Sequence, residues 1–243
     1  MKVCYDLHIH SCLSPCGDDD MTPNNIVNMA LLAGLDLIAL TDHNSCKNCP
    51  ALLHAAKRAG LKAVCGMELC TAEECHVICL FPTLQAAMEF DALVEGALPP
   101  VMNKPEVFGA QTIMDGEDVA TGFYPVLLST ASSISVDNVA ALVKKFGGTA
   151  FPSHIDRPSF SVISVLGTVP DAGFQAFEIS ARGDTDQLIQ AYPQIKGRPL
   201  LLNSDAHTLS GIQDRGPWLE LAAPDALTLI KTLNRDAPCS WGR

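Results

Sequence analysis

Short apolar runs alternate with amphipathic segments along most of the chain. Thr22-Pro23 begins one amphipathic segment that ends at Gly34, and Pro50 begins another that ends at Gly60, as expected for helices. Seven apolar runs have the length of buried strands and cover 3–9, 35–40, 62–67, 76–81, 149–152, 174–179 and 199–203. About seven strands that alternate with helices predict an α/β fold with a parallel sheet closed into a barrel.

The alternation of strands and helices breaks between residues 99 and 130. Residues 108–114 and 124–128 read as the two arms of a β-hairpin that turns at Asp115-Gly116. This segment is too short to bury a core of its own, so we expect an inserted hairpin within a single domain that covers 1–243. The pattern does not decide whether the insertion covers a site or forms a subunit contact.

Composition excludes several classes of protein. The 243 residues carry a net charge of −11, which argues against a surface that binds long nucleic acids. No apolar run approaches the roughly 20 residues that span a bilayer, and the start of the chain lacks the features of a signal peptide. Ten cysteines then favour a reducing compartment. We expect a cytoplasmic protein without a membrane segment and with cysteines that remain thiols.

Histidines are concentrated at the ends of the predicted strands. His8 and His10 occupy alternate positions of one strand, so their side chains point the same way and can bind one ion. His54 alone lies on a predicted helix, away from this pattern. The six strand-end histidines are His8, His10, His43, His76, His154 and His207. Because barrel enzymes place their active sites at the carboxyl ends of the strands, this distribution predicts a metal centre.

In order along the chain, the motifs resemble those of the PHP (polymerase and histidinol phosphatase) phosphoesterases. The motifs are His8-Ile9-His10, Thr41-Asp42-His43, Gly66-Met67-Glu68, His76, Ser153-His154 and Ser204-Asp205-Ala206-His207. The resemblance covers nearly the whole chain. It implies a distorted (β/α)7 TIM-like barrel that holds two or three divalent ions, usually manganese, iron or zinc.

The resemblance also implies which side chains bind each ion. A first ion would take His8, His10, Glu68 and Asp205; a second would take Glu68, His76 and His154; a third would take His43, His207 and an acidic residue of the loop after His10. That loop is longer than in the relatives. Alignment on Met21-Thr22-Pro23 favours Asp18 for the third ion, followed by Asp19, with Asp20 in competition.

Mixed imidazole and carboxylate ligands suit first-row divalent metals, and such ions lower the pKa of a bound water towards about 7. We therefore expect hydrolysis of a phosphate ester by a metal-bridging hydroxide. Asp205 or His207 would protonate the leaving oxygen. Arg157 and Arg182, which follow predicted strands, are the candidates for contact with the substrate phosphate.

Several functions agree with this site. The leading expectation is hydrolysis of a small phosphorylated metabolite or a nucleotide, rather than of a long nucleic acid. The alternatives are 3′-end exonuclease action on short oligonucleotides and a metal-binding regulatory domain without turnover. Amidohydrolases also begin with His-x-His, but they use a metal-bridging lysine where this chain has Glu68. Substrate identity, metal identity and oligomeric state stay open.

Overall fold

The computed structural model describes residues 1–242, which form a mixed α/β structure. The strands are β1 (Lys2–Ile9), β2 (Leu37–Leu40), β3 (Lys62–Cys70), β4 (His76–Phe81), β5 (Thr112–Met114), β6 (Ala120–Phe123), β7 (Thr149–Pro152), β8 (Phe177–Ile179), β9 (Leu200–Leu202), β10 (Trp218–Glu220) and β11 (Trp241–Gly242). The α-helices are α1 (Pro23–Leu32), α2 (Cys49–Ala59), α3 (Leu84–Glu95), α4 (Pro105–Phe108), α5 (Val136–Lys145), α6 (Val162–Leu166), α7 (Thr185–Ala191) and α8 (Ala226–Leu233). Short 3-10 turns cover Pro193–Ile195 and Leu209–Gly211. Within 1–242, no helix is both long and apolar enough to cross a bilayer.

The boundaries of the first two helices follow from local sequence. Thr22 caps α1 because its side chain accepts a hydrogen bond from the backbone N–H of Asn25, and Pro23 occupies the first turn. Helix α2 ends at Gly60, whose φ of 78° lies in the left-handed region that favours glycine. These two helices pack against each other.

Seven strands form one strongly curled sheet in the order β11-β10-β1-β2-β3-β4-β7, which confirms the predicted α/β barrel-like fold. The sheet is parallel only from β1 to β3; β4 runs antiparallel to both β3 and β7. The expectation of an all-parallel sheet was therefore wrong. His76 begins β4 rather than following its end, but the reversed direction returns it to the edge where β1 to β3 end.

The barrel is distorted where β8 lies beside β7 and where β9 lies beside β1. These strands form a separate parallel pair. On one side the Ile155 N–H donates to the carbonyl of Glu178 (2.9 Å). On the other, the Leu7 N–H donates to Asn203 Oδ1 (2.9 Å), and the His10 N–H donates to the carbonyl of Ala206 (2.9 Å). Isolated bonds of this kind close the ring in place of a continuous ladder.

An irregularity in β1 positions the first two candidate ligands. Its register against β2 shifts between Asp6 and Ile9. Tyr5 and Leu7 pack with one buried apolar cluster, whereas Ile9 packs with another, although all three occupy alternate positions. Bulges re-aim side chains next to active sites. Because successive residues of a strand point to opposite faces, the shift lets the His8 side chain point to the face that Tyr5 and Leu7 occupy earlier in β1.

The insertion between α3 and α5 contains a hairpin, although a shorter one than predicted. Its arms are β5 and β6, whereas residues 105–108 form α4 and residues 124–128 lie outside the strands. The hairpin is shorter because its turn extends from Asp115 to Val119. The Asp115 carboxylate accepts hydrogen bonds from the N–H groups of Glu117 and Val119, so the returning strand starts at Ala120. The assignment of 1–243 to one domain stays a prediction.

Candidate metal centre

Glu68, near the end of β3, lies at the centre of the histidine cluster and is 1% exposed. Its two carboxylate oxygens each face more than one imidazole nitrogen. The distances are 3.3 Å to His8 Nε2, 3.4 Å to His10 Nε2, 3.2 Å to His43 Nδ1, 3.1 Å to His76 Nδ1 and 3.4 Å to His154 Nε2. One carboxylate therefore faces five of the six histidines that the sequence singles out.

Asp205 supplies a second buried carboxylate, which also faces His8 and His10. Its Oδ1 lies 3.1 Å from both His8 Nε2 and His10 Nε2. Its Oδ2 pairs with the guanidinium of Arg157. His207 is 3.6 Å from Asp205 Oδ1 through Nδ1, which also contacts the Asp205 backbone carbonyl at 2.9 Å. The last predicted motif is thus part of the cluster.

Hydrogen bonds fix the protons of the two histidines of β1. His8 Nδ1 faces Glu178 Oε2 at 3.0 Å, so Nδ1 carries the proton and donates it. Ser14 donates to Asp42 Oδ1 (2.7 Å) and therefore accepts from His10 Nδ1 (2.9 Å). Both Nε2 atoms are then left as acceptors, and they face each other at 3.0 Å. Two lone pairs at that distance need a shared proton or a cation between them.

The described residues form three groups whose ligand atoms lie close enough together to hold a metal ion. The groups are His8, His10, Glu68 and Asp205; His43, Glu68 and His76; and His10, His43 and His207. Glu68 Oε1 and Asp205 Oδ1 are buried without a hydrogen-bond partner, as is His154 Nδ1. Buried carboxylate oxygens need such a partner or a cation. The residues present therefore fit a centre of more than one divalent ion.

The charges within the cluster shift its protonation equilibria in opposite directions. Burial alone would lower the pKa of His10, but contacts with Asp205 and Glu68 raise it to about 9. Burial and the repulsion of His10 lower the pKa of His207 to about 4. For Glu68, burial opposes ionisation, yet the surrounding imidazoles hold its pKa well below the usual range. The carboxylates are thus ionised and attract cations.

The structure does not bring Asp18 or Asp19 into any of the three groups, and their role at a third ion stays a prediction. Both side chains are exposed. The Asp18 carboxylate accepts a hydrogen bond from the Asp20 N–H (2.9 Å). The backbone N–H of Asp18 donates to the His207 carbonyl (2.9 Å), so the loop contacts the site through its main chain. In the third group, His10 stands where an acidic residue was predicted.

Arg157 and Arg182 reach one cavity of about 640 Å³ that also includes His154 and Glu178 in its walls. The Arg157 side chain is 41% exposed, and it also borders the histidine cluster because it pairs with Asp205. Two further carboxylates lie close in sequence to these arginines, and both have other partners: Asp156 accepts hydrogen bonds from Ser180, and Asp184 caps α7.

Sequence reasoning missed Glu178, which is 2% exposed and orients more than one part of the site. Its carboxylate contacts the His8 ring, accepts from the His154 N–H (3.0 Å) and accepts from the Asn203 side chain (2.6 Å). It lies between Phe177 and Ile179 in β8. A single acid inside a short apolar strand is a signal that could have identified it.

Two candidate ligand residues adopt backbone conformations that are uncommon for residues with a Cβ. His154 has a φ of 30° and Asp205 has a φ of 53°. Such conformations persist where the surrounding structure enforces them, and they are concentrated at functional sites. His154 lies in the loop after β7, and Asp205 lies in the loop after β9.

Comparison with known proteins agrees with the geometry. Residues 6–197 match the PHP domain family. The chain belongs to this family. Membership of the PHP family confirms the predicted class of enzyme, a metal-dependent hydrolase of phosphate esters. The number and identity of the ions are not fixed by this membership.

Individual relatives cover different parts of the chain. The 5′-3′ exoribonuclease of Haemophilus influenzae is 26% identical over 185 residues, 70% of this chain and 65% of that protein. The lesion-specific endonuclease Q of Pyrococcus furiosus has a TM-score of 0.71 at 19% identity, over 99% of this chain and 58% of its own. A proposed metal-dependent phosphoesterase of Bifidobacterium adolescentis has a TM-score of 0.57 at 19% identity, over 84% and 87%. The chain thus spans less than two thirds of the first two proteins, and the two structures show a shared fold alone.

Proposed function

We propose that this PHP-family chain hydrolyses a phosphate ester of a nucleotide, free or at the end of a short oligonucleotide, at a centre of two or three divalent ions. The observation that carries the proposal is the pair of buried carboxylates, Glu68 and Asp205. Each presents a buried oxygen without a hydrogen-bond partner to several imidazole nitrogens. Ligands of this kind suit manganese, iron or zinc.

We assign the ligands from the three groups of the cluster. His8, His10, Glu68 and Asp205 hold a first ion. Glu68 also serves a second ion, with His76 and His43; His154, whose Nε2 is 3.4 Å from Glu68, completes it. His43 and His207 face a third position together with His10. Divalent ions bound there would supply charge neutralisation at the phosphate and a water of lowered pKa.

Other side chains orient these ligands. Glu178 fixes the ring of His8, and Ser14 links His10 to Asp42. Asp205 is ionised and shared between two imidazoles, so it holds a cation rather than donating a proton. His207 directs Nδ1 at the Asp205 carbonyl, which leaves Nε2 for an ion. We therefore propose binding roles for both residues that the sequence suggested as proton donors.

Three observations point to the class of substrate. Arg157 and Arg182 share one cavity, and a guanidinium binds phosphate oxygens in pairs. The net charge of −11 disfavours contact with a long phosphate backbone. Two of the similar proteins, an exoribonuclease and a lesion-specific endonuclease, have names that point to nucleotide-containing substrates. A nucleotide, or a short oligonucleotide bound by its end, agrees with all three observations.

The proposal is tested with protein loaded with manganese, iron or zinc and then freed of excess metal. Mononucleotides, sugar phosphates and short RNAs labelled at either end are assayed with and without a chelator. We expect release of inorganic phosphate or of mononucleotides, which the chelator abolishes. Release from the 5′ end would match the name of the Haemophilus relative, and release from the 3′ end would match the alternative from the sequence.

A matched pair of variants controls this assay. His10→Ala removes a ligand and should abolish turnover. His54→Ala removes the histidine on α2, whose side chain is 54% exposed and lies 3.4 Å from Glu117, outside the cluster. It should retain turnover. Metal-loaded protein that hydrolyses none of these substrates would contradict the proposed function.

A further inference from the structure

Phe160 has an unusual backbone at the mouth of the metal centre. Its φ is 55°, in the left-handed region that bulky side chains rarely adopt. The residue lies in the loop between β7 and α6, six positions after His154. A strained conformation of this kind points to a function when the surrounding structure holds it in place.

Hydrogen bonds on both sides of Phe160 hold it. Its carbonyl accepts from the N–H of His76 (2.8 Å), which ties the loop to the start of β4. The next residue, Ser161, donates its hydroxyl to the carbonyl of Arg157 (2.7 Å) and also caps α6. The loop is therefore fixed to the same two regions that carry a candidate metal ligand and a candidate phosphate contact.

The ring of Phe160 is exposed rather than packed into the core. It stacks on the ring of His76, with centroids 4.7 Å apart and planes 17° from parallel, yet the residue is 46% exposed. It lines a cavity of about 190 Å³ together with Glu68, Asp205 and Arg157. A side chain that served only to fill space would be buried. The fold instead keeps a flat aromatic surface open beside the phosphate site.

We propose that the Phe160 ring is the stacking surface for the nucleobase of the substrate and thereby determines specificity for nucleotides. This inference rests on the proposed function. A base stacks on an aromatic side chain without regard to its identity, because every base presents a π face. Arg157 lies close enough to contact the phosphate of the same nucleotide, since both residues border one cavity. The site then recognises base and phosphate together.

The test measures binding separately from turnover. Two ligands are compared by calorimetry on manganese-loaded protein: the phosphonate analogues of AMP and of ribose 5-phosphate, in which a methylene group replaces the ester oxygen and blocks hydrolysis. The variant is Phe160→Gly, because glycine accepts the φ of 55° and so removes the ring without adding strain. Phe160→Tyr keeps an aromatic face. Phe123→Ala removes an even more exposed ring, 64%, from the inserted hairpin.

We expect the wild-type protein to bind the AMP analogue more tightly than the base-free analogue. Phe160→Gly should lower this preference about tenfold or more, as loss of one base–aromatic stack does. Phe160→Tyr and Phe123→Ala should keep it. Equal weakening of both ligands, with loss of bound manganese, would mean that the ring only supports His76 and would overturn the inference, as would an unchanged preference. Because binding is measured without hydrolysis, an inactive protein that still prefers the AMP analogue would contradict the proposed function alone.

Discussion

Two acidic regions lie near the same histidines, and they differ in burial and in their partners. Glu68 and Asp205 are enclosed by imidazoles, and each has a buried oxygen without a hydrogen-bond partner. Asp18 and Asp19 are exposed, and the carboxylate of Asp18 is satisfied by the backbone of its own loop. A carboxylate in water gains little from a neighbouring cation, whereas a buried one depends on it. Burial, rather than closeness in sequence to His10, is therefore the reason for which we propose Glu68 and Asp205 as ligands.

The largest effect is expected from the centre of the buried region. Glu68→Gln keeps the size of the side chain but removes the charge that faces five histidines. Loss of a ligand shared by two ions should lower metal affinity and turnover by more than about 100-fold, which exceeds the usual effect of residues that only orient ligands. Bound metal is measured by mass spectrometry and turnover with the best substrate of the panel. If Glu68→Gln retained its full metal content, the buried carboxylate would not be needed for metal binding, and the two acidic regions would not differ in this respect.

A smaller effect is expected from Glu178, which contacts the candidate ligands His8 and His154. Glu178→Gln leaves a group that can still bond to Asn203 but cannot accept from His8 and His154 as strongly. We expect metal affinity to fall by about 10- to 100-fold, the usual effect when the partner of a ligand histidine is changed. Glu220→Gln, an exposed change in β10, is the control. A Glu178 variant with the metal affinity of this control would show that the His8 ring needs no such partner.

The buried region should also make metal binding depend on pH. In the metal-free protein, burial would lower the pKa of both His10 and His43, but their partners raise it to about 9, above the ordinary value of 6.5. The partners are Asp205 and Glu68 for His10, and Cys16 and Glu68 for His43. Those protonated pairs stabilise the metal-free fold fully below pH 6.5, and the contribution is lost as the pH rises through 9. An ion requires the deprotonated rings, so apparent affinity should rise up to about tenfold per pH unit for each proton released.

Thermal unfolding provides the measurement. The increase in Tm on addition of manganese should grow between pH 6.5 and pH 8.5, while the Tm of the metal-free protein falls. An increase in Tm that is constant over this range would mean that the ions do not displace protons from these histidines.

The smallest effect is expected in the exposed region. Asp18→Asn and Asp19→Asn should each change metal affinity by less than about fivefold, because exposed charges contribute about 1 kcal/mol or less. The comparison uses the same metal titration as for Glu68→Gln. A loss from either variant as large as that of Glu68→Gln would show that the loop supplies a ligand after all.

The sequence singled out most residues of the cluster because they lie in short motifs at the ends of strongly apolar strands, and their roles as ligands stay a prediction. Strand direction was not encoded in those patterns. The connection between β3 and β4 covers only 71–75, which is too short for a helical crossover and would have indicated an antiparallel pair. Glu178 is separated from His8 by 170 residues, so only the closed barrel brings them together. The end of the hairpin depended on side-chain bonds of Asp115 that periodicity does not contain.

The central claim is that Glu68 organises a centre of more than one metal ion. Its most direct test is elemental analysis of wild-type protein and of Glu68→Gln, purified in parallel and loaded with manganese, iron or zinc before removal of excess metal. The account predicts two or three ions per wild-type chain and at least one fewer in the variant. A wild-type chain that retains no metal under any loading condition, or a variant with the same content as the wild type, would contradict it.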